Sequence, residues 1–266
     1  MKHIIFLLTT TLLAASPSHA DEGLRVRYRD VSAQMSLTVS HNIGVSENPS
    51  FASRDFSFGL AVTADRPAEA VTVTIDQAKA TYVAHGMSQR LGTRHLTGQS
   101  FQLSIADDGR QLEPARLSNA PSIDLGPIPS SGFSVAALLA DTLPVLPEQT
   151  VAIGATWTTE RPIRSLEGWA WASGQLVSRH RVTAVDDQNS HTVVTVATEA
   201  EASLEPVEGE RAYSGALKRT LLWTFDATEG RLLSMSMEQE AEGVSDLPQG
   251  EFSIHQRTQV ELAPAS

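Results

Sequence analysis

The chain has 266 residues, of which 31 are acidic and 20 basic, for a formal net charge of −11. This negative charge disfavours nucleic acid and anionic membrane surfaces as partners, because both bind concentrated positive charge. The chain contains no cysteine, which excludes disulfides and lipid attachment to a thiol, so its stability must come from a packed core.

Residues 1–20 predict an export signal. Lys2 and His3 precede an apolar run at residues 4–15, and residues 16–20 end in a small-x-small pattern at Ala20. The apolar run is shorter than the roughly twenty residues that a membrane-spanning helix needs. We expect cleavage after Ala20, a mature chain without a transmembrane segment that begins at Asp21, and a location in the periplasm or outside the cell.

Residues 24–106 alternate apolar and polar side chains, which predicts a series of half-buried strands. Phe56 and Phe58 share one predicted face with Leu60. At the start of this region three arginines alternate with apolar residues, namely Arg25, Arg27 and Arg29. We interpret them as a solvated outer face, although such a basic stripe would also suit an anionic head group.

Residues 107–157 form a crossover, rich in proline, serine and glycine, that contains a predicted helix at 133–143. A helix this short is marginal in isolation and needs an apolar surface to pack against. We expect Phe133, Leu138 and Leu139 to pack on the inner face of the sheet, near Trp169 and Trp171, as a partial lid over an apolar cavity.

Residues 158–262 are predicted to form a second series of strands. A long predicted strand at 168–185 has Trp169 and Trp171 on one face and is interrupted by Gly174, where a bulge is expected. Turn residues at 186–190 and 226–230 predict two hairpins. Short turns between long strands indicate antiparallel neighbours.

These patterns predict a mainly β fold: one large curved antiparallel sheet, half-barrel-like, with one short helix in the central crossover. Neither strand set has enough helices to cover its own apolar face, so we expect both sets to share one sheet in a single domain at residues 21–266. Two separate β-domains joined at the crossover are the alternative.

A distinctive box follows the predicted helix, at residues 146–157, with the sequence LPEQTVAIGATW. It resembles the LPxxPVxxGxxW-type box of exported bacterial β-proteins, with Thr150 at a position where proline is common. Gly154 suits a tight turn, and Trp157 would anchor the next strand in the core. The plan of curved sheet and short helix resembles, more distantly, the lipoprotein-carrier fold of LolA and LolB. That resemblance implies an incomplete barrel whose concave face binds acyl chains.

Aromatic, methionine and leucine side chains along the predicted inner face are the candidate ligand-binding residues, since such side chains line adaptable apolar pockets. They are Phe56, Phe58, Phe133, Leu139, Trp169, Trp171, Trp223, Met235 and Met237. The alternative is that the same residues fill an ordinary core.

The clusters of polar residues do not predict a catalytic or metal site. Pairs of histidines such as His85 with His95, or His180 with His191, would face each other across hairpins, but a zinc site needs three or four ligands. Several glutamates crowd residues 199–210, and we interpret this stretch as a solvated loop rather than a calcium site. We therefore expect no catalytic motif, no metal and no cofactor.

Three functions fit these features. The first is a periplasmic binding or carrier protein for an apolar ligand, such as a lipid, a lipoprotein or another acylated molecule. The second is a non-catalytic structural or interaction protein of the bacterial envelope. The third is a hydrolase with a dispersed carboxylate site.

Overall fold

The structure is a computed structural model, and it describes residues 23–29, 32–46, 48–65, 70–84, 86–110, 122–123, 133–135, 138–139, 143–163, 172–188, 190–206, 213–247 and 250–265. The predicted export signal, Trp169, Trp171 and His85 lie outside the described residues. Among the described residues, no helix is both long and apolar enough to cross a bilayer.

The described residues form fourteen strands and one 3₁₀ turn at Arg94–Leu96. The strands are β1 (Ala33–Val45), β2 (Asn48–Asp65), β3 (Ala70–Ala84), β4 (Met87–Arg90), β5 (Ser100–Ser104), β6 (Ser122–Ile123), β7 (Phe133–Ser134), β8 (Thr156–Pro162), β9 (Ala172–Ser173), β10 (Gln175–Gln188), β11 (His191–Pro206), β12 (Tyr213–Asp226), β13 (Arg231–Leu247) and β14 (Gly250–Pro264).

One antiparallel sheet contains strands from both halves of the chain. Its order is β4-β3-β2-β1-β14-β13-β12-β11-β10-β8, with β5 paired to β3 and β9 paired to β11. The first long strand lies beside the last, with Leu37 opposite Leu262. The single mainly β, antiparallel sheet predicted from the sequence is confirmed.

The sheet is curved and open. Val71 on β3 and Leu232 on β13 line the same small cavity, although three strands lie between theirs. In a flat sheet those strands would be about 19 Å apart, at roughly 4.8 Å per step. The sheet therefore bends into a half-barrel, and its end strands β4 and β8 are not paired with each other.

Alternation along the strands places one continuous apolar core on the concave face. On β1, for example, Met35, Leu37 and Val39 are buried while the residues between them are partly or fully exposed. Buried residues of β1, β2, β3, β5 and β10–β14 belong to one core cluster. The period-2 pattern was therefore sufficient to assign the buried face.

Both predicted hairpins are confirmed, and Gly174 does interrupt a predicted strand. β10 continues to Gln188 and β11 begins at His191, so the first turn is shorter than the predicted 186–190, and β12 ends at Asp226 before β13 begins at Arg231. Gly174 separates β9 from β10, and a side chain there would collide with the carbonyl oxygen of Ser203 on β11. Glycine is required at this position because two backbones approach closely.

The N-terminal segment differs from the prediction. Residues 24–29 make a single bridge, between Leu24 and Val151, instead of a strand. The side-chain alternation is partly correct, since Val26 and Tyr28 are buried and Arg25 and Arg29 are exposed. Arg27 departs from the predicted solvated face, because only 13% of its side chain is exposed and its guanidinium donates to the carbonyls of Pro147 and Glu148. Further along, the amides of Tyr28 and Arg29 donate to the carbonyls of Asp107 and Gly230, so the segment bonds to three separate parts of the chain instead of to one strand.

The predicted helix at 133–143 does not begin where expected. Phe133 pairs with Ile123 in the short β6–β7 ladder, so the chain is extended at that position. Helical backbone is present at Val135, Leu138 and Leu139, and the amide of Leu143 donates to the carbonyl of Leu139 at 3.0 Å. The other positions of the predicted helix lie outside the described residues.

Candidate functional site

The cross-strand register divides the concave face into rows that run perpendicular to the strands. One row is entirely apolar, and we call it the apolar row. It consists of Phe58, Leu37, Leu262, Met235, Trp223, Val196 and Val182. All seven side chains are buried, so this row is packed core.

A second row, four residues further along the strands, is polar at all but one position, and we call it the polar row. It consists of Tyr82, Arg54, His41, Thr258, Gln239, Arg219, Ala200, Ser178 and Thr159. Four residues of strand span about 13 Å. The concave face therefore has a polar band with apolar side chains on both sides, since Ala52, Leu217 and Ala241 are buried two residues beyond the polar row.

An apolar cavity of about 60 Å³ lies beside the apolar row. Its lining is hydrophobic except for Tyr28 and Arg231, and comprises Tyr28, Ala33, Met35, Leu60, Val62, Val71, Val73, Leu103, Ile105, Leu139, Leu143, Arg231, Leu232 and Leu262. The hydroxyl of Tyr28 donates to the carbonyl of Pro144 at 3.2 Å, and burial raises the pKa of Tyr28. The interior of this cavity therefore suits hydrocarbon.

A smaller cavity, of about 20 Å³, adjoins the polar row. It is lined by Leu143, Pro144, Val145, Thr159, Arg161, Ser178, His180, Thr198, Arg219, Leu221 and Trp223. His180 bonds Thr159 through Nε2 at 2.9 Å and Thr198 through Nδ1 at 2.8 Å. Burial, together with the positive charge of Arg161, lowers the pKa of His180 to about 4, so this histidine is neutral near pH 7.

Trp157, from the box, covers the same cluster. Its ring stacks on His180 with 4.8 Å between ring centroids, and its Nε1 donates to the carbonyl of Val145 at 3.1 Å. Trp223 contacts Trp157 edge-on and donates from its own Nε1 to Thr198 Oγ1 at 3.2 Å. The predicted anchoring role of Trp157 is therefore observed, and Gly154 has the positive φ, +86°, that its turn requires.

Two arginines of the polar row are buried in the concave face. Arg219 is 3% exposed and Arg54 is 1% exposed. Nε and Nη2 of Arg219 donate to Gln239 Oε1 at 2.9 and 2.6 Å. This acceptor is an uncharged amide, and arginine does not lose its proton in proteins, so these two bonds orient the guanidinium.

His41 lies between Arg54 and Thr258 in the same row. Its Nδ1 is 2.8 Å from Thr258 Oγ1, and its Nε2 is buried with no hydrogen-bond partner among the described residues. Burial and the charge of Arg54 lower the pKa of His41 to about 3. The row therefore combines fixed positive charge with neutral hydrogen-bonding groups.

Residues near the end of the crossover line both cavities. Leu139 and Leu143 line the apolar cavity, and Leu143 and Val145 line the smaller cavity. We call these described residues, with Pro144, the cover. The bonds to Val145 and Pro144 already given, and one from the Leu146 amide to the Asp108 carbonyl at 2.8 Å, hold it in place.

The structure brings some predicted site residues to cavities and places others in the core. Leu139 lines the apolar cavity, and Trp223 lines the smaller cavity. Phe56, Phe58, Met235 and Met237 are buried in the core and belong to neither lining. The backbone of Phe133 lies in β7, and Trp169 and Trp171 lie outside the described residues.

Sequence reasoning missed the polar row, although the pattern contained a signal. Arg54 has the parity of Phe56 and Phe58, and Arg219 falls between Leu217 and Leu221. A charged residue on the apolar face of a strand is unusual, because burying a charge is costly. An arginine at an inward position was therefore the overlooked indication.

The other polar clusters differ from their predicted arrangement. His180 is opposite Thr198, and His191 bonds Asp226 at 2.9 Å, so these two histidines do not form a pair. Glu199, Glu201 and Glu205 lie on β11 instead of a loop, while residues 207–212 lie outside the described residues. No group of three or more potential metal-ligating side chains occurs in the described part of the chain.

Comparison with known proteins gave no match. No protein-family model matches the chain, and no curated protein matches it either.

Proposed function

We propose that the protein is a binding or carrier protein for an apolar ligand, a lipid or an acylated molecule, that fills the concave face beneath the cover. The observation that carries this proposal is the apolar cavity between the inner face of the sheet and Leu139 and Leu143. A void lined almost wholly by hydrocarbon favours apolar occupants over water.

The cavity must enlarge to accept such a ligand. Its volume of about 60 Å³ is well below the roughly 300–1,000 Å³ typical of small-molecule sites. The sheet cannot yield easily, because long ladders hold it, whereas the described residues of the cover belong to no strand of the sheet. We propose that the ligand enters by displacing the cover.

Probe displacement tests the proposal. A fluorescent apolar probe should bind the purified protein and be displaced by long-chain lipid, and lipid extraction followed by mass spectrometry should recover a bound species from protein isolated in its native host. Leu139→Asp should weaken probe binding by at least about tenfold, because a carboxylate in an apolar cavity costs more than 1.4 kcal/mol.

Leu222→Asp is the matched control, since Leu222 is 51% exposed on β12 and its replacement leaves the cavity intact. Circular dichroism must show that both variants are folded. If Leu139→Asp is unfolded, Ala33→Leu provides a second variant, because Ala33 lines the cavity and a larger apolar side chain there should fill it and reduce binding. A folded wild type that binds neither probe nor lipid contradicts the proposal.

A structural or interaction protein of the envelope is the second candidate, favoured by the free end of the sheet. β8 (Thr156–Pro162) ends the strand order and pairs with β10 on one side. An exposed strand edge of this kind can receive a strand from another chain. Absence of any ligand, together with a complex that Thr158→Pro disrupts, would favour this role.

We further propose that the protein is exported and acts in the periplasm or outside the cell, as residues 1–20 and the resemblance of the box to exported β-proteins suggest. N-terminal sequencing of the mature protein should give Asp21 as its first residue. An intact Met1 in the envelope fraction would contradict this proposal.

A further inference from the structure

We propose that residues 23–29 form a strap that holds the cover closed, so that release of the strap controls how fast a ligand reaches the apolar cavity. This inference rests on the proposed binding function and adds the element that regulates the site. It assigns the closing contacts to Arg27 and Tyr28, while Leu24 ties the strap to the box at 146–157.

The first step concerns the contacts between the strap and the cover. The hydroxyl of Tyr28 donates to the carbonyl of Pro144 at 3.2 Å. The guanidinium of Arg27 donates to the carbonyls of Pro147 and Glu148, the second at 2.8 Å. Hydrogen bonds from a charged donor are among the stronger ones in proteins. The strap therefore binds both the cover and the residues that directly follow it.

The second step concerns position. Tyr28 is buried, and it lines the apolar cavity together with Leu139 and Leu143 of the cover. Its ring also contacts Phe225 of β12 edge-on, with 5.1 Å between the ring centroids. Because Tyr28 contacts the sheet on one side and the cover on the other, movement of the cover away from the sheet must break one of these contacts.

The third step concerns the attachment of the strap. It belongs to none of the strands of the sheet. Besides its bridge to the box, its backbone bonds two turns. The amide of Tyr28 donates to the carbonyl of Asp107 at 2.7 Å. The amide of Arg29 donates to the carbonyl of Gly230 at 2.9 Å. The strap can therefore be released without breaking a ladder of the sheet.

A fourth observation is that two glycines allow the strap to approach closely. Gly109 and Gly230 have φ of +82° and +73°. A Cβ on Gly109 would lie 2.7 Å from Cε2 of Tyr28, and one on Gly230 would lie 2.7 Å from the carbonyl oxygen of Arg27. Both turns thus approach the strap more closely than a side chain would permit, which gives the strap a defined closed position.

The strap should affect binding through the population of the open state. A ligand that binds only when the cover is displaced has an apparent Kd equal to its intrinsic Kd divided by the open fraction. Weaker contacts of the strap increase that fraction, so they should speed association and tighten binding. The strap is therefore an inhibitory contact.

A reversible cross-link provides the first test. The chain contains no cysteine, and Leu24 and Val151 exchange backbone hydrogen bonds of 2.9 and 2.8 Å, a pairing that places Cα atoms at a distance suitable for a disulfide. In the Leu24→Cys, Val151→Cys double variant, stopped-flow association of the fluorescent apolar probe should be at least about tenfold slower with the disulfide formed than after its reduction. The wild-type protein is the control, since reductant should leave its rate unchanged.

Arg27→Met provides the second test. It should speed probe association about tenfold and lower the apparent Kd by a similar factor, because it removes charge-assisted hydrogen bonds of the closed state. Arg25→Met is the matched control, since it removes the same charge from an exposed residue of the strap, and it should change either quantity by less than about twofold.

The outcomes separate the two proposals. If the probe binds but neither the cross-link nor Arg27→Met changes its association rate, the strap proposal is wrong and the apolar site stands. Slower association in Arg27→Met would also overturn it. If neither probe nor long-chain lipid binds the folded wild type, both proposals fail. Circular dichroism shows whether each variant is folded, and if one variant is not, the other decides.

Discussion

The apolar row and the polar row lie on the same strands, face the same interior and are both buried, yet they differ in chemistry. In the apolar row Phe58 and Leu37 contribute only hydrocarbon. Four residues further along the same two strands, Arg54 and His41 occupy the equivalent inward positions. Stability alone would favour hydrocarbon in both rows, because replacing buried charged groups by apolar ones is often neutral or stabilising.

The difference indicates that the two rows have different roles. The apolar row closes the core, whereas the polar row contains two buried arginines and a buried histidine. Variants that affect the two rows separately should therefore alter different properties of the protein.

The largest expected effect is on stability, from truncation in the apolar row. Phe58→Ala should lower the free energy of unfolding by about 3–5 kcal/mol, since it removes a fully buried ring and leaves a cavity. Urea denaturation measures the change. Leu222→Ala, at an exposed position, should change it by less than about 0.5 kcal/mol, and a similar small loss for Phe58→Ala would show that the apolar row is not packed core.

The next largest effect is on the pH dependence of stability, which should arise from the buried histidines His41 and His180. Burial lowers the pKa of His41 to about 3 and of His180 to about 4, from the ordinary value of 6.5. The unfolded chain therefore takes up protons first as the pH falls. Each histidine should lower stability by about 2 kcal/mol between pH 7 and pH 5, and stability should recover as the pH rises above 6.5.

His180→Gln removes one of these groups and should reduce the pH 7 to pH 5 difference by about 2 kcal/mol. His191→Gln is the control, because His191 is a partly exposed residue at the β10–β11 hairpin. Denaturant titrations at both pH values provide the measurement. A pH dependence unchanged in His180→Gln would show that this histidine is not held neutral by burial.

The smallest expected change in stability comes from a substitution in the box at 146–157, which lies outside both rows. Gly154 has φ of +86° and no atom within 4 Å of the position that a Cβ would occupy. Gly154→Ala should therefore cost only about 1 kcal/mol, from backbone strain. Gly230→Ala should cost more, because its Cβ would lie 2.7 Å from the carbonyl oxygen of Arg27. The midpoint of thermal unfolding should therefore fall further in Gly230→Ala than in Gly154→Ala.

Local patterns predicted the strands well because a half-buried strand has a period of two wherever it occurs. The parity of Phe56 and Phe58 assigned the inner face of β2, and the turn residues at 226–230 assigned the hairpin between β12 and β13. The same patterns failed at Phe133 and at residues 24–29. There, pairing with Ile123 and a single bridge to Val151 determined the backbone, and the side-chain pattern of each segment by itself does not encode its pairing partner.

The amino-acid sequence by itself determined the fold class, the buried face of each strand and the turns, because these depend on residues close together in the chain. Only the tertiary structure decided the neighbours of each strand and the register between them. The pairing of the first long strand with the last brings His41 opposite Thr258, and this pairing places Arg54 of β2 and Arg219 of β12 in one row. The polar row exists only in the assembled sheet, since each strand contributes one side chain and the cross-strand hydrogen bonds align them.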